Sequence, residues 1–335
     1  CVSELHKFLF DGLPVRGMVV RLTDSWVEIL RRRASNSDTG AYPVPVRELL
    51  GEMAAAAVLM QSNIQFDGSL VLQIFGDGAV KVAVAEVDAQ LGLRATATVT
   101  GEVAANATLS QLVNQGNKGR CAITLDPKTK FPGQQPYQGV VPLHGDQHEK
   151  LEDFSAILQH YMLQSEQLDT TLVLAANDQV AAGLLIQRMP SQGVGNLEGQ
   201  AQQAGAVGAE APADDQEDYN RISILASSLT REELLTLDVD TILRRLFWEE
   251  KLLRFAPQPD QASPHFACSC SRERVGKMIR GLGQEEATGI VAERGDVEVG
   301  CEFCGKQYRF DSVDVAQLFA APQGQAAMPA GGQVH

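Results

Sequence analysis

Near its C-terminus the sequence reads Cys268-Ser-Cys270 and, after thirty further residues, Cys301-Glu-Phe-Cys304-Gly305. Four of the six cysteines therefore fall into two tight pairs. Each pair can supply two thiolates from one turn to a tetrahedral metal ion. Four sulfur ligands select zinc or iron, and no further cysteine run suggests an iron–sulfur cluster. The spacing predicts one Zn²⁺ in a closed site, with the ligands Cys268, Cys270, Cys301 and Cys304.

Two other interpretations of the cysteine quartet stay open at this point. The pairs could form structural disulfides of a secreted domain, although a chain otherwise poor in cysteine disfavours this. A zinc site could be purely structural, or it could sense oxidants, because nearby cations stabilise the thiolate that oxidants attack. Such cations flank the motifs: Arg272, Arg274, Lys277, Arg280 and Lys306. These charges could equally form the solvated face of a helix.

Composition narrows the class of protein. Apolar residues make up 44% of the chain, as in ordinary globular proteins, and no apolar run is long enough to cross a membrane. The formal net charge of −14 disfavours nucleic acid as a partner, because neutralising phosphates requires a basic face. A reduced cysteine quartet favours a cytoplasmic location. We therefore expect neither a membrane nor nucleic acid among the partners.

Residues 1–189 are predicted to form one α+β domain of mixed sheet and helices. A helix is expected to open at Pro45, where apolar residues recur at helical spacing. Two alternating apolar runs, Ser69–Phe75 and Ala79–Glu86, flank Gly76-Asp77-Gly78 and predict a β-hairpin. No nucleophile elbow, Ser-His-Asp set or carboxylate pair stands out, so no enzyme activity is predicted.

Two connecting segments follow this domain. Residues 190–218 are rich in Gly, Ala and Gln, with six acidic residues and no Lys or Arg, which is typical of a flexible insertion. Residues 219–256 are predicted to be a metastable helical linker. Thr230-Arg-Glu-Glu233 is a capping box, and a second helix follows it and ends before Pro257.

The linker helices are expected to be amphipathic. Their predicted apolar face comprises Leu234, Leu235, Ile242, Leu243, Leu246, Phe247 and Leu252. Short isolated helices are marginal in water, so this face needs a docking partner. The pattern is compatible with a switch element and, equally, with a permanent helical connector.

Residues 262–320 are predicted to be a small zinc-binding domain. A helix is expected over Arg272–Leu282, and a hairpin is expected to carry the Cys301-x-x-Cys304 turn. A domain of about sixty residues with few large apolar side chains cannot hold its fold unaided. A structural zinc supplies about 10–16 kcal/mol of folding free energy, so metal removal should melt this domain. Residues 321–335 are predicted to be a disordered tail.

Four further stretches carry a family resemblance together with the cysteine spacing: Phe66-Asp-Gly-Ser-Leu-Val-Leu-Gln73, Tyr137-Gln-Gly-Val140, Ser165-Glu-Gln167 and Gly183-Leu-Leu-Ile-Gln187. With these residues the chain resembles the 33-kDa redox-regulated heat-shock chaperones of bacteria. The Cys-x-Cys and Cys-x-x-Cys pairs are the most specific part of the match. The resemblance covers most of the chain, and residues 190–218 depart from the usual length of the family.

The resemblance implies an ATP-independent holdase that binds unfolded client proteins. Such a chaperone is inactive while it is reduced and zinc-bound, and oxidation activates it. The resemblance also implies disulfides Cys268–Cys270 and Cys301–Cys304, release of zinc, unfolding of the C-terminal region and a homodimer in the oxidised form.

Two other classes of function stay open. A thiol–disulfide oxidoreductase could use Cys301 and Cys304, although no thioredoxin-like context surrounds them. A zinc-ribbon module could bind nucleic acid, although residues 262–320 carry seven Lys/Arg against nine Asp/Glu.

Overall fold

The structure, a computed structural model, describes residues 2–64, 66–189, 213–256 and 261–320. The chain divides into two compact units, Cys1–Cys268 and Ser269–His335. Most of the predicted insertion at 190–218, and the whole predicted tail at 321–335, lie outside the described residues. Among the described helices, none combines the length and apolar character that crossing a membrane requires.

The first unit combines strands and helices, which confirms the predicted α+β class. Its strands are β1 (Glu4–Phe10), β2 (Val15–Leu22), β3 (Gly68–Phe75), β4 (Val80–Val87), β5 (Gly92–Val99), β6 (Arg120–Pro127), β7 (Tyr137–Pro142), β8 (Thr170–Ala176), β9 (Ala181–Arg188), β10 (Leu252–Arg254) and β11 (His265–Phe266). Its helices are α1 (Asp24–Ala34), α2 (Val44–Asn63), α3 (Leu109–Val113), α4 (Phe154–Glu166), α5 (Ala213–Ser227), α6 (Arg231–Thr236) and α7 (Val239–Phe247).

A six-stranded sheet of the first unit has the order β11-β5-β4-β3-β6-β7. β3 and β4 pair antiparallel around the Gly76-Asp77-Gly78 turn, which confirms the predicted hairpin. The sequence does not predict β11, which joins the edge of this sheet parallel to β5. Gly92 of β5 permits this approach, because a Cβ at that position would lie 2.9 Å from the Cβ of Ala267. The chain leading to the first cysteine pair is thereby fixed to the sheet.

A five-stranded sheet has the order β10-β1-β2-β9-β8. Its edge strand β10 contains Leu252, so the prediction that Leu252 belongs to the second linker helix is wrong. That helix ends at Phe247, and Leu252 pairs with Phe10 of β1. Antiparallel pairing satisfies the backbone groups that a further helical turn would have satisfied. A strand of three residues is too short to give a periodic signal in the sequence.

Helix α2 packs against strands of both sheets. It starts at Val44 with Pro45 in its first turn, as the sequence predicts. Ala54 to Ala57 are fully buried, and Gly51 approaches Ala176 so closely that a Cβ would lie 2.3 Å from the alanine Cβ. These small side chains allow the helix to lie close to the strands. The main core of the first unit forms around them.

Helices α5, α6 and α7 form a second core with residues of the five-stranded sheet. Helix α5 begins at Ala213, so the last six residues of the predicted flexible insertion are helical. Two physical causes explain this helix. Asp214 and Asp215 lie in the first turn, where carboxylates stabilise the helix dipole. Tyr219 and Ile222 are buried in the second core.

The second unit contains α8 (Arg272–Leu282), α9 (Gln284–Arg294), β12 (Val297–Gly300), β13 (Gln307–Phe310) and α10 (Ser312–Ala320). The predicted helix and the predicted hairpin are both confirmed, whereas α9 was not predicted. Within residues 269–320 its core comprises the buried residues Ile279, Ala287, Val297, Tyr308, Phe310 and Val315.

Candidate metal centre

The two cysteine pairs occupy short irregular segments next to regular elements. Cys268 and Cys270 lie between β11 and α8, and the side chain of Ser271 caps α8 by accepting a hydrogen bond from the Arg274 N–H. Cys301 and Cys304 lie in the turn between β12 and β13. In this turn the Gly305 N–H donates to the Cys301 carbonyl at 2.8 Å. Both pairs are thus held by local hydrogen bonds.

The four sulfur atoms form a cluster whose members all lie within 4.8 Å of one another. The sulfurs of Cys270 and Cys304 are 3.3 Å apart. In a tetrahedral zinc site, Zn–S bonds of about 2.3 Å separate the sulfurs by about 3.8 Å. The cluster fits this separation, and thiolates are ligands that Zn²⁺ prefers. These four cysteines could therefore hold a metal ion.

Tyr308 of β13 supports the cluster from the side of Cys270. Its hydroxyl donates to the Cys270 sulfur at 3.1 Å, and this hydrogen bond raises the pKa of Tyr308 to about 12. Burial raises the pKa of the Cys304 thiol, and hydrogen bonds with Cys270 and Cys301 raise it further. Four thiolates this close together would repel one another strongly unless a cation were bound between them. Zn²⁺ is the kind of charge that would keep them all deprotonated.

Two of the cations that flank the motifs in sequence contact carbonyl groups, a carboxylate and a ring rather than the cysteine sulfurs. Arg272 donates to the Arg309 carbonyl at 2.7 Å, pairs with Asp314 at 2.7 Å and covers the Phe310 ring. Arg274 donates to the Ser269 carbonyl at 2.9 Å. Their contacts stabilise the second unit and the loop between Cys268 and Cys270.

One arginine that the sequence pattern does not single out reaches a sulfur of the cluster. Arg94 of β5 donates from Nη1 to the Cys268 sulfur at 3.7 Å. Arg94 and Cys268 are 174 positions apart, and only the pairing of β11 with β5 brings them together. No local pattern could have revealed this contact.

The predicted apolar face of the linker is buried or partly buried. Leu234, Ile242, Leu243, Leu246 and Phe247 are buried in the second core, and Leu235 and Leu252 pack against it. The Phe247 ring lies edge-on to Phe10 of β1, with the centroids 5.0 Å apart.

Polar contacts add to this docking. Arg21 of β2 donates to the Leu234 carbonyl at 2.6 Å, at the end of α6. The hydroxyls of Thr171 and Tyr219 are 2.7 Å apart. The linker helices thus cover an apolar face of the five-stranded sheet.

Fold and site define a class: an α+β protein of two units whose C-terminal region carries four thiols that could bind a metal ion. The model of the Hsp33 protein family matches residues 3–311. The chain belongs to this family, and the family resemblance found in the sequence is confirmed. Hsp33 proteins are chaperones, a class of proteins that bind unfolded clients.

Similar proteins agree with this assignment. The 33 kDa chaperonin of Chromobacterium violaceum is 42% identical over 317 residues, which cover 95% of this chain and 94% of that protein. The 33 kDa chaperonin of Neisseria meningitidis serogroup A is 39% identical over 315 residues, covering 93% and 90%. The crystal structure of the 33 kDa chaperonin from Thermotoga maritima matches with a TM-score of 0.68. It covers 94% of this chain and 97% of that one at 19% identity, which supports the fold.

Proposed function

We propose that the protein is a redox-regulated, ATP-independent holdase of the cytoplasm. In this proposal the cysteine quartet is the switch, and the linker of residues 219–256 is the element that the switch releases. One observation carries the proposal: the linker helices cover a large apolar face of the five-stranded sheet, within the same chain as a four-thiol cluster. A surface suited to unfolded proteins is thus covered while an oxidant-sensitive site is intact.

Cys268, Cys270, Cys301 and Cys304 would hold the zinc of the reduced form. Bound Zn²⁺ supplies folding free energy to the segment that contains its ligands. Among the described residues of the second unit the core is small, so this contribution decides whether the unit stays folded. We assign residues 262–320 to the redox-switch domain and residues 1–189 to the client-binding domain.

Oxidation would convert the two motifs to disulfides Cys268–Cys270 and Cys301–Cys304. In each pair one thiolate attacks peroxide, which yields a sulfenic acid and hydroxide. The second thiolate then attacks the sulfenic sulfur, forms the S–S bond and displaces another hydroxide. Each pair loses two electrons, and each peroxide becomes two waters after protonation. The short spacing favours this pairing, because one or two intervening residues keep the two sulfurs of each pair close whether or not the unit is folded.

Loss of all four thiolates would remove the support of the switch domain, and the linker would lose its docked conformation. The exposed faces of α6, α7 and the five-stranded sheet would then bind apolar stretches of unfolded clients. Exposed apolar faces also favour the homodimer that we propose for the oxidised form. The net charge of −14 keeps a protein with such faces soluble and disfavours nucleic acid as a partner.

The experiment that tests this proposal follows aggregation of a heat-unfolded protein by light scattering, with and without prior peroxide, while zinc release is measured. We expect suppression only after oxidation, in step with release of zinc. The Cys268→Ser/Cys301→Ser variant can form neither disulfide, so peroxide should not change its activity. Cys121→Ala is the matched control. Cys121 is a core residue, and burial raises the pKa of its thiol to about 12, so it does not supply a reactive thiolate.

Equal suppression by the reduced, zinc-loaded protein would refute the switch. Reduction of insulin by the protein would instead support a thiol–disulfide oxidoreductase, and salt-dependent DNA or RNA binding would support the zinc-ribbon alternative.

A further inference from the structure

The sulfur of Cys268 accepts a hydrogen bond from outside the cysteine motifs. Arg94 donates to it from Nη1 at 3.7 Å, a normal length for a donor to the large sulfur atom. Both residues lie in the first unit. A guanidinium is always charged, so the sulfur faces a fixed positive charge.

A second residue fixes the position of Arg94. Glu86 lies directly opposite Arg94 in the β4–β5 pair. One carboxylate oxygen of Glu86 accepts from Nη2 at 2.7 Å and from Nε at 3.1 Å. The two side chains are 17% and 22% exposed, so water screens the pair only in part. The guanidinium is therefore held with Nη1 directed to Cys268.

The backbone before Cys268 is fixed to the same strand. Ala267 donates its N–H to the Leu93 carbonyl at 3.0 Å, one residue before Arg94. The Phe266 ring packs on the main core, and the guanidinium of Arg32 covers it at 4.5 Å. Donor and acceptor of the Arg94–Cys268 hydrogen bond are thus both anchored on β5.

From this geometry we infer that Arg94 is a positioning residue for Cys268 as a metal ligand, and that Glu86 holds Arg94 in place. Four thiolates carry more negative charge than one Zn²⁺ neutralises, and the guanidinium offsets part of the excess. Its N–H also draws electron density from the sulfur, which makes the thiolate less reactive toward electrophiles while it is bound. Cys268 is the ligand that this contact protects.

This inference rests on the zinc site of the proposed function, but its test does not depend on chaperone activity. The full-length, reduced protein is titrated with zinc against a competing chelator, and the absorption spectrum of the Co²⁺-loaded protein is recorded. Arg94→Gln should lower zinc affinity by about 10–100-fold, the usual effect of losing a residue that orients a metal ligand. Arg94→Lys keeps the charge and should recover part of the affinity.

Two further variants separate positioning from a general effect on the fold. Glu86→Gln retains Arg94 but removes its anchor, so we expect a smaller loss of affinity and a shift of the sulfur-to-cobalt bands. Arg120→Gln is the matched control, because Arg120 belongs to β6 of the same sheet and lies over the Phe75 ring. It should bind zinc as the unmodified protein does.

Alkylation gives a residue-specific readout. With zinc bound, iodoacetamide should modify Cys268 of Arg94→Gln faster than Cys268 of the unmodified protein, while Cys301 changes less. Mass spectrometry of peptides measures both rates. A general loss of folding would accelerate all four cysteines equally and would overturn the inference.

Two further outcomes would contradict the inference. If Arg94→Gln, Arg94→Lys and Glu86→Gln all bind zinc as tightly as the unmodified protein, with unchanged cobalt spectra, Arg94 has no positioning role. That result would leave the proposed function intact. If the unmodified protein itself bound no zinc, the proposed function and this inference would both fall.

Discussion

Glu52 is a partly buried carboxyl of α2 next to the linker. Desolvation raises its pKa to about 8, Arg231 of α6 opposes the rise, and Asp153 and Glu48 add to it. Arg231 itself pairs with Glu48 at 2.9 Å. Glu52 thus binds its proton more tightly in the folded state than in the unfolded chain, where the pKa of a glutamate is about 4.3. The contribution of Glu52 to the free energy of unfolding is therefore largest below its pKa in the unfolded chain. It is lost as the pH rises through its pKa in the folded protein.

Glu52→Gln should therefore stabilise the first unit at pH 9 and leave it almost unchanged at pH 4. The expected gain at pH 9 is about 2 kcal/mol, below the limit that the shift allows, because partial solvent contact screens the charge. Denaturant unfolding at several pH values measures it. Glu149→Gln, an exposed carboxyl of the same unit, should show no such trend. A pH-independent effect of Glu52→Gln would contradict the raised pKa.

For single residues, the sequence predicts features that depend on neighbours in the chain but not contacts between distant residues. The spacing of the four cysteines suggested a cluster, and the structure brings these residues together. Their role as zinc ligands stays a prediction. Arg94 and Glu52 could not be found from the sequence, because their neighbours Cys268 and Arg231 are distant in the chain.

Among the elements, α7 depends on one large side chain for its docking. Phe247 is fully buried, and its ring packs on Phe10 at 5.0 Å and on Phe8 at 6.3 Å. Phe247→Ala should cost about 3–5 kcal/mol of docking free energy. If the linker is autoinhibitory, the reduced protein should then suppress aggregation without oxidant. Light scattering measures this, and limited proteolysis should show faster cleavage in residues 219–256.

Trp248→Ala is the control for this variant, because the neighbouring Trp248 side chain is 74% exposed. It should leave the reduced protein inactive. A reduced Phe247→Ala protein that released its linker but did not bind clients would contradict the autoinhibitory role.

Elements with a strong local pattern were predicted, and elements defined by distant pairing were not. The β3–β4 hairpin and α2 carry turn residues and regular apolar spacing, so their signals are local. β10 and β11 are three and two residues long, and each exists only because an edge strand elsewhere in the chain accepts it. Leu252 was misassigned for this reason. Its apolar character continued the pattern of the helix before it.

At the scale of the whole molecule, the two units differ in what holds them together. The first unit has two extensive cores, one around α2 and one beneath the linker helices. In the second, the described residues 269–320 form a single small core. Apolar burial scales with size, so we expect the first unit to fold without metal and the second to need it.

Chelation of zinc from the reduced protein should therefore unfold the second unit and leave the first folded. A structural zinc contributes about 10–16 kcal/mol, more than the whole stability of an ordinary small domain. Hydrogen exchange followed by mass spectrometry measures the effect. Amides of β12, β13 and α8 should lose protection after chelation, and amides of β3 and β4 should keep theirs. Addition of Zn²⁺ should restore the pattern while the thiols stay reduced. If β12 and β13 remained protected in the metal-free protein, the second unit would be stable on its own core, and loss of zinc could not trigger release of the linker.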